Sequence, residues 1–122
     1  MKILFAGIIA RYPFGGVTWC SLQYMLGLRA LGHEVLYIED TGECIYDPEQ
    51  DAISLNPTYG TSYIHNALAP FGLGDRWSFV NYDGTHHGVT GEAREVLGRP
   101  GLVLRGRKNS RFALGRRWLD VT

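Results

Sequence analysis

Apolar and polar positions fall into blocks separated by glycine-rich turns. Residues 2–9 are apolar at nearly every position, the pattern of a central strand covered on both faces. Arg11-Tyr12-Pro13-Phe14-Gly15-Gly16 follows as a turn. Residues 17–31 then read as a helix. Val17, Cys20, Tyr24, Leu28 and Leu31 form a stripe at steps of three and four, and Leu22, Met25 and Leu26 lie beside it. That apolar surface is wider than one sheet contact needs, so a second layer or a partner is expected to cover it. Gly32 fits the left-handed position that ends many helices. Residues 35–39 return as a strand. The order strand, glycine turn, helix, glycine stop, strand is a βαβ unit, which makes the two strands parallel.

The rest of the chain is less regular. Residues 40–48 read as an acidic loop and residues 49–59 as irregular, with Asn56-Pro57 a turn signal. A helix is expected over 61–71, with Ile64, Leu68 and Phe71 on one face. A turn over 72–76 leads to a strand over 77–82 and a loop over 83–88. A short helix over 91–97, capped by Thr90, and a last strand over 101–104 complete the pattern. From Arg105 on there is a basic stretch with a helical turn over 112–119 and no sheet logic. The expected fold class is α/β, a Rossmann-like three-layer domain with a mainly parallel sheet, over residues 1–104. Residues 105–122 form a separate basic tail.

The chain has 122 residues, enough for one domain with a real core. Its formal net charge is zero, which gives no case for nucleic acid or an anionic membrane as partner. No apolar run is long enough to span a bilayer. The start resembles a signal peptide superficially, but Arg11 interrupts the apolar run and no small-x-small cleavage site follows. Cys20 and Cys44 have neither a redox nor a zinc spacing, and read as free thiols of a cytoplasmic protein. The zero net charge hides a reversal. Residues 1–98 carry five basic and eleven acidic side chains, whereas residues 99–122 carry seven basic and one acidic.

The order around Gly15-Gly16-Val17 and Ala30-Leu31-Gly32-His33-Glu34-Val35 resembles the amino-terminal half of GT-B glycosyltransferases. Residues 71–77, Phe71-Gly72-Leu73-Gly74-Asp75-Arg76-Trp77, look like bacterial glycosyltransferase-like proteins as well. The resemblance covers residues 1–98. It implies the acceptor-side half of a two-domain enzyme that moves a sugar from a nucleotide-sugar donor. Half a site is then expected, completed by a donor domain or partner subunit, and the chain alone is expected to be inactive. No other cofactor and no metal are implied. The dinucleotide GxGxxG fingerprint is absent, because Gly7 is too far from Gly15-Gly16 and no third glycine follows. The alternative function is a non-catalytic nucleotide- or phosphate-binding domain, or a truncated remnant.

The candidate chemistry follows from position. Gly15 and Gly16, where the helix dipole and free N–H groups favour an anion, are expected to bind the donor phosphate of a nucleotide sugar or nucleoside diphosphate. Arg11 is placed to pair with it. Glu39 or Asp40 occupies the place of a ribose-binding acid, and Asp40 and Glu43 are candidates for acceptor hydroxyls. His86 with Asp83 offers a general base, against the simpler reading of exposed loop residues. Tyr59 and Tyr63 read as packing residues rather than sugar platforms. The resemblance fades where the charge reverses. The tail is therefore expected not to be the family's own continuation but to have the makeup of GC-rich DNA read out of frame. A genuine basic tail pairing with the acidic body is the other reading.

Overall fold

The computed structural model describes residues 1–88 and the backbone of two further strands, Leu102–Arg105 and Trp118–Asp120. The elements in order are β1 (Lys2–Ala6), α1 (Gly15–Ala30), β2 (Glu34–Glu39), β3 (Ile45–Asp47), β4 (Ala52–Ser54) and α2 (Thr58–Leu68). A 3-10 turn (Ala69–Phe71) follows, then β5 (Trp77–Val80), β6 (His86–Gly88), β7 (Leu102–Arg105) and β8 (Trp118–Asp120). The main sheet has the order β6-β5-β2-β1-β7-β8, and every neighbouring pair is parallel except β5–β6. The protein is thus a mixed α/β fold with a mostly parallel sheet. The chain builds outward from β1 through β2 to β5, then comes back to place β7 on the other side of β1. Its direction across the sheet reverses at β1.

The two helical crossovers run the same way across the sheet, so right-handed connection puts both helices on one face. There Leu22 and Met25 of α1 and Ile64 and Leu68 of α2 pack with Ile3, Phe5, Val35, Tyr37, Trp77 and Phe79 in one core. Strand alternation sends Leu4, Ala6, Leu36, Ile38 and Ser78 to the opposite face, and these are buried too.

Helix α1 buries Thr18, Ser21, Leu22 and Met25. This is not the expected stripe: Tyr24 is exposed, and Leu31 is 76% exposed. The helix is apolar on more than one side, and two of its buried residues, Thr18 and Ser21, are small and polar. Gly32 ends the helix as expected, with φ +92°. Its N–H donates to the Arg29 carbonyl and that of His33 to the Leu28 carbonyl, the paired bonds of a Schellman stop.

Other elements depart from the sequence reading. The stretch expected to be loop and irregular contains a small antiparallel hairpin, β3–β4. Helix α2 starts earlier, where the Asn56 side chain accepts from the Thr58 N–H at 3.0 Å. Residues 86–88, expected as loop, pair with β5. The expected last strand is β7. Beyond it, β8 adds to the sheet edge beside β7 where no strand was expected, and residues 118–119 are strand rather than helical turn. The short helix expected over 91–97 lies outside the described residues.

Candidate functional site

Because β1, β2 and β5 are parallel, their carboxyl ends share one edge of the sheet. The β1–α1 loop, the first turn of α1, the β3–β4 hairpin and α2 all gather there. The Tyr46 N–H donates to the Arg11 carbonyl at 3.1 Å. The Phe14 and Tyr46 rings lie 5.6 Å apart, and the hydroxyls of Thr18 and Tyr63 share a hydrogen bond of 2.8 Å. Gly60 lets α2 lie against the loop, since a Cβ there would come within 3.0 Å of the Ala10 Cβ. In open α/β sheets ligands bind beyond the carboxyl ends where the strand order reverses. Here that point is the β1–α1 loop.

Gly15 and Gly16 are the first two residues of α1 and are exposed. The preceding Phe14 supplies no side-chain cap, and the first turn holds no acidic residue. Among the described residues, the first N–H of this end to find a partner is that of Thr18, which donates to the Phe14 carbonyl at 3.0 Å. The N–H groups of Gly15, Gly16 and Val17 therefore point outward at the positive end of the helix. Neither glycine has a positive φ, and nothing lies within 4 Å of where a Cβ would stand. What they contribute is bare, approachable backbone rather than unusual conformation.

The loop before them is held from below by a buried network. The Glu39 carboxylate accepts the Ala10 N–H and the Arg11 N–H, each at 2.9 Å, the Arg11 Nη1 at 3.1 Å and the Tyr37 hydroxyl at 2.6 Å. The Tyr37 oxygen in turn accepts the Ile9 N–H at 2.9 Å. Gly7 makes room for that ring, because a Cβ there would stand 2.5 Å from Tyr37 Cε2. Burial holds the Glu39 carboxyl above its ordinary value, against the pull of Arg11 and the other donors. Burial and the neighbouring Glu39 charge push the Tyr37 hydroxyl well above its own.

This network corrects two expectations. Arg11 is 0% exposed, not turned toward a phosphate. Its Nε donates to the Glu43 carbonyl at 3.1 Å and its Nη2 to the Val80 carbonyl at 2.9 Å, and its guanidinium lies 4.7 Å over the Phe79 ring. Glu39 is fully buried as well, so its carboxylate fastens the loop and does not reach a ribose. Burying the two charges costs desolvation, which their mutual attraction and the surrounding hydrogen bonds offset.

Asp40 is half-buried and Glu43 exposed in the loop after β2. Glu43 meets Arg11 through its backbone carbonyl. Asp83 and His86 flank the β5–β6 turn, both exposed. β5 lies two strands from β1, which is about 10 Å. The Thr85 N–H donates to the Asp83 carboxylate at 3.0 Å and, as the largest cause, holds its pKa below the ordinary value. A general base benefits from the opposite shift. No Asp83–His86 hydrogen bond forms among the described residues. His87 is half-buried, its ring 6.1 Å from that of Phe79.

Sequence reasoning missed a cleft of about 500 Å³ between the hairpin and α2. Tyr59, Tyr63 and Asn66 form its helix wall, with Asp47, Glu49 and Gln50 opposite. The signal was present in part: residues 59, 63 and 66 recur at helical spacing, beside the buried stripe of Gly60, Ile64 and Leu68. No such pattern marks the hairpin residues. Among the described residues, no cluster of His, Cys, Asp or Glu is placed to hold a metal ion, and no helix is long and apolar enough to cross a membrane. Cys20 and Cys44 are both free thiols. No protein-family model, curated protein or solved structure matches this chain.

Proposed function

We propose that this chain is the acceptor-side domain of a GT-B-type glycosyltransferase-like protein. In this reading it has a Rossmann-like three-layer fold and works with a donor domain or partner subunit. The single observation that carries the proposal is the uncapped start of α1 at Gly15-Gly16, placed at the carboxyl end of β1 where the strand order reverses. Burial of both sheet faces supports the three-layer reading.

In such a site the N–H groups of Gly15, Gly16 and Val17 bind the phosphate of a nucleotide sugar. They then stabilise the charge that develops on the departing nucleoside diphosphate. The Glu39 network keeps the loop in place before the ligand arrives, so its ordering cost is met on folding. Sugar transfer also needs an acceptor hydroxyl beside the donor carbon, and Asp40 and Glu43 remain candidates for holding it.

The second reading is a phosphate- or nucleotide-binding domain without turnover. The inward Arg11 favours it, since the cation nearest the turn is committed to the core. Titration with UDP and GDP, followed by backbone amide shifts, tests both. Shifts centred on Gly15, Gly16 and Val17 are expected, and their absence overturns both readings. Nucleotide release from a panel of sugar nucleotides, with the full chain and then with added donor-domain protein, separates the two.

A further inference from the structure

We propose that the cleft between α2 and the β3–β4 hairpin is a carbohydrate site for a neutral or amine-bearing sugar ring. Its volume of about 500 Å³ lies within the usual range for small-molecule sites. The helix wall carries two tyrosines one turn apart, with ring centroids 6.2 Å apart and planes 19° from parallel. Both are half-buried and line the cleft. Tyrosine offers flat apolar area with a hydrogen-bonding tip. A pyranose ring presents the complement, a C–H face with hydroxyls around its rim.

The polar groups around the cleft suit those hydroxyls. The amides of Asn66 and Gln50 each offer donors and an acceptor, and the Glu49 carboxylate accepts, as does the Asp47 oxygen not already taken by the Glu49 and Gln50 N–H groups. Among the described residues lining the cleft there is no lysine or arginine. Two carboxylates without a cation disfavour phosphate or an acidic sugar and tolerate an amine. The cleft therefore selects a different chemistry from the helix start at Gly15-Gly16. The two are joined by the Tyr63–Thr18 hydrogen bond of 2.8 Å, with Thr18 in the first turn of α1. As the seat of an acceptor sugar the cleft rests on the transferase reading above; as a carbohydrate site it does not.

The test is amide-shift titration of the full chain with methyl glucoside, glucosamine and glucuronate, and separately with UDP. Methyl glucoside and glucosamine are expected to shift Tyr59, Tyr63 and Asn66 at millimolar concentration, and glucuronate to bind more weakly. Tyr59→Ala is expected to weaken sugar binding about tenfold, and Tyr59→Phe to retain it. Asn66→Ala, at an exposed position, is expected to weaken it without loss of fold. No shift at these residues, glucuronate binding as tight as the neutral sugar, or an unchanged Tyr59→Ala would each overturn the proposal. UDP shifts at Gly15-Gly16 report on the other site. Loss of UDP binding with sugar binding intact supports the cleft and counts against the transferase reading.

Discussion

One oxygen of Glu39 grips Arg11 twice: Oε2 lies 2.9 Å from the Arg11 backbone nitrogen and 3.1 Å from its Nη1. The same carboxylate thus fastens both the main chain and the side chain of one residue. Both side chains are fully buried. Such a pair is tolerable only when the remaining donors and acceptors are satisfied. Here Tyr37, Ala10, Val80 and the Glu43 carbonyl satisfy them. The consequence is positional: the loop leading to Gly15-Gly16 is tied to β2 and to the end of β5.

Removing one partner leaves the other charge buried. Glu39→Gln and Arg11→Met are each expected to lower unfolding free energy by about 3–5 kcal/mol. The double variant Arg11→Met with Glu39→Leu is expected to recover much of that loss, since no charge is left stranded. Urea unfolding of the three variants measures this. Single losses below about 1 kcal/mol would show the pair to be solvated after all.

Tyr37 gives the pH dependence its sign. Its folded pKa is raised well above the ordinary 10.0, by burial first and then by the Glu39 charge, with Arg11 opposing. The folded state therefore keeps this proton after the unfolded state has lost it. The stability so gained is complete below the ordinary value and is lost as pH rises toward the folded one. Unfolding free energy is expected to fall by up to ~1.4 kcal/mol per pH unit above about pH 10. Tyr37→Phe should be less stable at neutral pH yet show a flatter alkaline slope. An equal slope in the variant would assign the alkaline loss to other groups.

The face of α1 that meets the sheet can be tested by deletion. Met25→Ala is expected to cost about 2–5 kcal/mol, as a buried truncation does. Leu31→Ala should change stability by less than about 0.5 kcal/mol, as at an exposed site. The reverse order would restore the stripe that the sequence alone suggested.

That reversal shows where sequence reading works. β1, α1, Gly32 and β2 were legible because an apolar run, a helical period and a glycine stop are local signals. β7 was legible for the same reason. The face of α1 was not, since apolar residues surround it and the choice depends on what the sheet can accept. The fate of Arg11 and Glu39 was hidden too. Whether a charge at a strand end meets ligand or core is decided by residues distant in sequence, here Glu39, Phe79 and Val80 for Arg11, and Ala10 and Arg11 for Glu39. The three-residue strands β3 and β4 are too short to show alternation, so the hairpin, and with it the wall of the cleft opposite α2, gave no signal. Of the candidate residues, Gly15-Gly16 could be placed at the start of α1 from local pattern alone.

Those glycines carry the last prediction. A side chain at Gly16 meets nothing within 4 Å and needs no positive φ, so Gly16→Val should fold as the parent does. Valine is also no worse a helix former than glycine. The branched side chain would nonetheless project into the space through which an anion reaches the N–H groups of the first turn. Binding of UDP is expected to weaken by about tenfold or more, with melting temperature held or slightly raised. Gly27→Ala is the control. It lies further along the same helix, exposed and with open space at its Cβ, and should gain about 0.5–1 kcal/mol while leaving UDP binding unchanged. Calorimetry with UDP on the three proteins separates helix stability from access to the helix start. Equal affinity in Gly16→Val and parent would remove the glycine turn from the site.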